Sequence, residues 1–279
     1  MRLSTFCGSF LLAALLVAGG AHSDESRTHG DSASQLVATL QSALESAGAD
    51  TVPESDAVNR LESAIRSVLE QTPAQSPVAV QLSRALEQDG STQTRLARLQ
   101  TATRATVDQL AFQPVHEAEQ PQGFPPHTPA GLLEVKEYPA YRMAVANGFW
   151  TLFMHIKANN IEMTAPVEMT FNSPDGKTLK QSSMAFLYGR PDLGSAGQKG
   201  KVDVIDVPPA TVISLGIRGR RTQEKVDRAQ ATIEDWLEAH PDYARAGDFR
   251  IMGYNSPYVP DERQFWEAQL IIRKRDDGQ

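Results

Sequence analysis

Thiols are nearly absent from this 279-residue chain, whose one cysteine is Cys7. A lone cysteine there supplies no disulfide framework, no CxxC redox pair and no Cys-ligated zinc or iron–sulfur site. Positive charge is also in deficit, with 27 Lys and Arg against 34 Asp and Glu for a net charge of -7. That argues against a general nucleic-acid binder, which needs a cationic surface to displace condensed counterions. No apolar run approaches the roughly 20 residues of a membrane-spanning helix. HExxH, GxSxG and CxxCH are all missing, so no zinc-peptidase, serine-hydrolase or covalent-haem pattern is present. Gly194–Lys201 (GSAGQKGK) falls short of a phosphate loop: Ser195 replaces its first glycine, and a strand rather than a helix follows. It reads as a flexible hairpin loop. What remains, 41% apolar and 22% charged residues, is the composition of a soluble globular protein.

The first residues read as an export signal over 1–23. Arg2 precedes a 12-residue apolar run, Phe10–Ala21, too short to span a bilayer, and Ala21-His22-Ser23 offers small residues for cleavage before Asp24. Cleavage would remove Cys7 and leave a soluble, exported protein, periplasmic or extracellular, with no stable membrane span.

Residues 24–112 form a helical region without tryptophan or tyrosine. Leu36, Leu40 and Leu44 recur at helical spacing, as do Leu61, Ile65 and Leu69. Ser91-Thr92 can cap a third helix striped by Leu96, Leu99, Thr103, Val107 and Leu110. Pro53, Pro73 and Pro77 read as breaks. The stripes are narrow, so these helices either pack on one another or bind a protein partner or a second copy. Residues 113–130 carry five prolines and read as an extended, semi-rigid linker, with His116 and His127 solvated.

From 131 to 275 the pattern changes, and 276–279 is a polar tail. Ile161–Phe171 alternates, placing Ile161, Met163, Ala165, Val167, Met169 and Phe171 on a buried face and Glu162, Thr164, Pro166, Glu168 and Thr170 on a wet one. Further strands are expected at 133–136, 141–146, 183–188, 202–206, 212–218 and 265–273. Phe149, Leu152, Phe153 and Ile156 mark one helix; Val226, Ala229, Ile233 and Trp236 mark another, stopped at His240-Pro241. Val135–Val145 and Ile205–Leu215 echo each other at an offset of 70 residues, sharing Pro139/Pro209 and Ala140/Ala210. Each copy precedes a helix and further strands, which fits a duplicated β-β-α-β-β unit.

Val135–Ala146 (VKEYPAYRMAVA), the helix Phe149–Lys157 and Met163-Thr-Ala-Pro-Val167 together resemble the SOUL/haem-binding-protein family. Ser183–Tyr188, Val204–Pro209, Tyr254-Asn-Ser-Pro257 and Trp266–Arg273 extend the resemblance over about 132–273. It implies an α+β fold: a distorted antiparallel β-barrel with two helices, here preceded by the all-α region. It also implies non-covalent binding of haem or a related tetrapyrrole in an apolar groove, for buffering or carriage, usually without a reaction. The same architecture resembles bacterial effector-binding domains that hold lipophilic small molecules.

A macrocycle needs apolar walls, cationic groups for its propionates and, optionally, an axial ligand to iron. Phe149, Leu152, Phe153, Ile156, Met163, Val167 and Met169 are candidates for the wall, although the same residues would build a core. His155 is the candidate axial ligand, about 110° from the centre of its helix's apolar stripe at 100° per residue. Arg142, Lys157 and Arg218 are candidate propionate partners, with Arg220 a weaker one; Met143, Met154 and Met163 are weaker ligands. No metal site other than haem iron is expected. Glu162 and Glu168 read as a solvated face rather than an acid–base couple, and nothing activates Tyr254 or Asn255, so no catalytic residue is assigned. The alternatives are an effector-binding-like domain sensing or hydrolysing another lipophilic molecule, or a scaffold whose N-terminal helices bind a protein.

Overall fold

The structure, a computed structural model, describes residues 29–49, 51–172 and 179–275. The expected leader (1–23) and tail (276–279) lie outside the described residues. Four helices come first: α1 (His29–Ala47), α2 (Glu54–Glu70), α3 (Pro77–Glu87) and α4 (Thr92–Leu110). The helix that the sequence reading lacks is α3, which buries Val78, Ala79, Leu82 and Ala85. Pro77 opens it rather than breaking the chain. At the first helical position proline gives up only an N–H that has no intrahelical partner, and its φ is already helical. Leu36, Leu40, Leu61, Ile65, Val68, Leu82 and Leu99 close one apolar core. Ser91 Oγ caps α4 by accepting from the Thr94 N–H.

The second half alternates strands with two helices: β1 (Leu133–Tyr138), β2 (Tyr141–Ala146), α5 (Phe149–Ala158), β3 (Val167–Asn172), β4 (Lys180–Leu187), β5 (Gly197–Lys199), β6 (Val202–Val207), β7 (Ala210–Arg218), α6 (Gln223–Ala239), β8 (Tyr243–Gly253) and β9 (Phe265–Lys274). The strands make one antiparallel sheet in the order β1-β7-β9-β8-β3-β4-β2-β6-β5. The sheet is not closed, whereas the sequence reading expects a barrel. Tyr138 faces Ala210 and Tyr141 faces Val207 in one continuous register, which sets Pro139 opposite Pro209. Pro139, Pro208 and Pro209 have no N–H to donate, so the ladder breaks between them. Its two parts then sit at different places in the strand order, leaving β1 and β5 as edges. Leaving β5 aside, exchanging β1–β4 with β6–β9 reproduces the same strand order.

Both helices lie on one face of the sheet. Leu152 and Ile156 of α5 pack on Ala144, Phe186 and Val204. Val226, Ala229, Ile233 and Trp236 of α6 pack on Ile213, Ile251 and Leu270. The other face is also covered, and residues 113–130 cover it. This stretch contains no helix, turns at Gln122-Gly123, and is tied down as a strap rather than spanning solvent. Asn255 Nδ2 donates to Val115 O at 2.7 Å, Ala165 N to Glu119 O at 3.0 Å and Gln122 N to Gly189 O at 2.9 Å. Thr128 N donates to a Glu267 carboxylate oxygen. Gly216 lets the strap cross: a Cβ there would collide with the carbonyl oxygens of Thr128 and Pro129. His127, expected in solvent, is half-buried with its ring 5.2 Å from that of Phe265.

The helical region meets the sheet along the strap's end. Leu132 enters the helical core, Leu133 N donates to Ser76 Oγ at 3.1 Å, and Arg218 pairs with Asp108 at 2.7 Å.

Candidate functional site

The helix α5 carries more apolar surface than its core contacts use. Leu152 and Ile156 face the sheet, yet Phe149, Trp150 and Met154 remain 41%, 72% and 64% exposed. Phe153 joins them, its ring 13° from parallel to that of Phe149 at 6.0 Å, and Trp150 sits edge-on to both. Lys157 Nζ lies 5.6 Å from the centre of the Phe153 ring. Contiguous exposed aromatics next to a cation are the composition of a contact surface. Among the described residues no helix is long and apolar enough to cross a membrane, and no cluster of His, Cys, Asp or Glu is placed to hold a metal ion.

His155 does not belong to this surface. Counting about 100° per residue, it points from the flank of the buried Leu152–Ile156 stripe opposite to the one that carries Phe149 and Phe153. Its Nε2 is hydrogen-bonded to the Tyr188 hydroxyl at 2.8 Å, and Asn159 Nδ2 approaches Nδ1 at 3.4 Å. Asn159 Nδ2 also donates to the His155 carbonyl oxygen at 2.8 Å, so the ring sits between Tyr188 and Asn159. Burial, with the nearby Lys199 charge, holds the imidazole below its usual pKa.

The other predicted residues divide. Phe149, Phe153 and Lys157 come together on the α5 surface. Met163 and Val167 are half-buried beside Phe153 in one cluster. Leu152 and Ile156 are fully in the core, and Met169 is buried in the separate cluster under α6. Arg142 is fully engaged: Nε and Nη2 meet Asp206 at 2.7 and 3.0 Å, and Nη1 donates to the carbonyls of Leu193 and Gly194. Arg218 lies across the sheet, paired with Asp108 and stacked over Phe112 at 4.7 Å. Arg220 pairs with Asp261. Lys157 is thus the one predicted propionate partner beside the exposed aromatics.

A second constellation escapes the sequence reading. Under the strap, the face expected to be wet carries a buried polar network. Glu168, read as solvated, is 5% exposed; its Oε2 accepts from Tyr141 at 3.1 Å and from Arg250 Nη1 at 3.1 Å. Arg250 Nε donates to Gln269 Oε1 at 3.0 Å, and Gln269 Nε2 donates to Tyr138 and Glu267. Glu267 also pairs with Lys136 at 2.9 Å and accepts from the Tyr254 hydroxyl at 3.2 Å. Burial pushes the Glu267 carboxyl up, but Lys136 and the Thr128 N–H outweigh it and hold the group below the usual carboxylate range. Burial dominates at neighbouring Glu134, whose pKa rises to about 7 against the pull of Lys136. Arg250 Nη2 finds no acceptor among the described residues, and an unsatisfied buried donor costs about 1–3 kcal/mol. The signal in the sequence was the complementary charge at inward positions of four strands (Lys136, Glu168, Arg250, Glu267), together with a proline-rich stretch long enough to roof them.

Residues 128–265 match the family model described as SOUL heme-binding protein. No curated protein matches the chain. Among solved structures, it is similar to the EcmrR C-terminal domain at 14% identity, covering 51% of this chain and 98% of that one with a TM-score of 0.39. A hydrolase from Listeria innocua matches at 12% identity over 50% of this chain and 91% of that one, TM-score 0.37. SAV2435 bound to tetraphenylphosphonium matches at 9% identity over 50% and 93%, TM-score 0.33. Likenesses this slight say nothing of function.

Proposed function

The C-terminal half of the chain belongs to the SOUL heme-binding protein family, and from that premise we propose that it binds haem or a related tetrapyrrole non-covalently on the exposed face of α5. The observation that carries this reading is the cluster of exposed Phe149, Trp150 and Met154 with half-buried Phe153 beside them, on a helix whose fully buried core contacts are Leu152 and Ile156. These side chains fit the apolar face of a macrocycle, and Lys157 stands at their edge to meet a propionate. They do not fit an axial imidazole, because His155 faces the other way and is held by Tyr188. The Met154 thioether is the only potential iron ligand within the exposed cluster.

The role is binding, buffering or carriage rather than catalysis, and export through the 1–23 leader would place it in the cell envelope or outside. We also read the mirrored strand order and the facing Pro139 and Pro209 as a duplicated β-β-α-β-β unit.

Titration of residues 24–279 with haemin tests the function. Saturation at one equivalent with a shifted Soret band is the expected result; no saturable binding, oxidised or reduced, overturns it.

A further inference from the structure

The strap's middle is held differently from its ends. Pro125 and Pro126 have no N–H to give, and Gly123, at φ 80°, turns the chain so that Phe124 points to the sheet. The Phe124 ring stands edge-on between Tyr138 and Tyr141, 4.9 and 5.2 Å from their centres. Those tyrosines, like Tyr254, are aromatic members of the buried network. The Arg250 guanidinium lies 5.3 Å from the Tyr138 ring and donates to the Tyr141 hydroxyl at 2.8 Å. Its Nη2, in a side chain 3% exposed, is the N–H that finds no acceptor among the described residues. An aromatic cleft with an unused buried donor beside it is the arrangement of a ligand site, here filled by the chain's own phenyl ring.

We propose that the strap is a built-in plug: Phe124 holds shut a second binding site on the sheet face opposite α5. Its ligand is an uncharged aromatic molecule that carries a hydrogen-bond acceptor for Arg250. The ring is specified by the cleft that already takes one. The acceptor is specified by Nη2. The lack of charge follows from the surroundings, where Glu168 and Glu267 already balance Arg250 and Lys136, so a charged ligand would leave one group uncompensated. The plug lowers apparent affinity by the fraction of time the strap is open.

Acetophenone, an aromatic ketone, is a suitable probe, with toluene as the comparison lacking an acceptor. Two variants of the full chain open the site by different routes. Phe124→Leu removes the ring. Gly216→Ala sets a Cβ against the Thr128 and Pro129 carbonyls and is expected to displace the strap at its crossing point without deleting any side chain of the cleft. By calorimetry each is expected to bind acetophenone on the order of tenfold tighter than the parent protein, and tighter than toluene, because affinity recovers with the open fraction. Trp150→Ala should leave this binding unchanged, which separates it from haemin binding on α5. The proposal is overturned if neither folded variant gains affinity, or if toluene and acetophenone bind alike. Should Phe124→Leu fail to fold, Gly216→Ala alone decides.

Discussion

His155 Nε2 lies 2.8 Å from the Tyr188 hydroxyl, on the flank of α5 turned away from the exposed indole of Trp150. We read this histidine, the candidate iron ligand of the sequence, as a structural partner of a buried tyrosine. His155→Ala should cost about 1 kcal/mol of stability through the lost hydrogen bond and leave haemin affinity and the Soret position unchanged. Urea denaturation and haemin titration of one preparation check both.

The opposite pattern is expected at Trp150. Its side chain is 72% exposed, so Trp150→Ala should shift stability by no more than about 0.5 kcal/mol while weakening haemin binding. Lys157→Glu should weaken it too, most at low ionic strength, because a charge at the rim is screened by salt. Affinity that ignores both changes would place the ligand elsewhere.

Removing one partner of a buried ion pair strands the other. Arg250→Met leaves Glu168 with Tyr141 alone in an apolar setting, and a loss of about 3–5 kcal/mol is expected. Adding Glu168→Gln should restore part of it. A single-variant loss under about 1 kcal/mol in denaturant melts would mean that the pair is hydrated rather than sealed under the strap.

Glu134 is expected to give the protein a pH dependence whose sign follows from its raised pKa. Its pKa is about 7 in the fold, raised by burial from 4.5. The folded state therefore holds a proton that the unfolded chain releases, and stability falls as pH rises through that window. Glu134→Gln removes this dependence. The variant should gain on the parent protein between pH 5 and about 7 and hold that gain above it. Parallel stability curves for the two proteins would contradict the assignment.

Elements with strong local signals were legible in the sequence. β2 runs over Tyr141–Ala146 as expected, because alternation and the proline before it agree. Helix α5 was likewise clear from its i, i+3, i+4, i+7 pattern. The misses have physical causes. β8 carries Gly247 and a register shift between Arg245 and Phe249, which blur its alternation. β3 starts at Val167 rather than Ile161 because Pro166 cannot donate and the Ala165 N–H goes to the strap. Glu168 looked wet because alternation tells two faces apart but not what covers the second. Its cover comes from residues 113–130, 38 to 55 positions earlier in the chain, and no local pattern records that. The same limit hid the network, whose pairs, such as Lys136 with Glu267, join strands far apart in sequence.

The central claim, a tetrapyrrole on the aromatic face of α5, is tested most directly by comparing haemin titrations of the parent protein, Trp150→Ala/Phe153→Ala and His155→Ala. The account predicts one-equivalent binding that survives in the histidine variant and is weakened on the order of tenfold or more in the double variant, the loss expected when two aromatic contacts are removed. Binding that survives the double variant and fails on loss of His155 would contradict it.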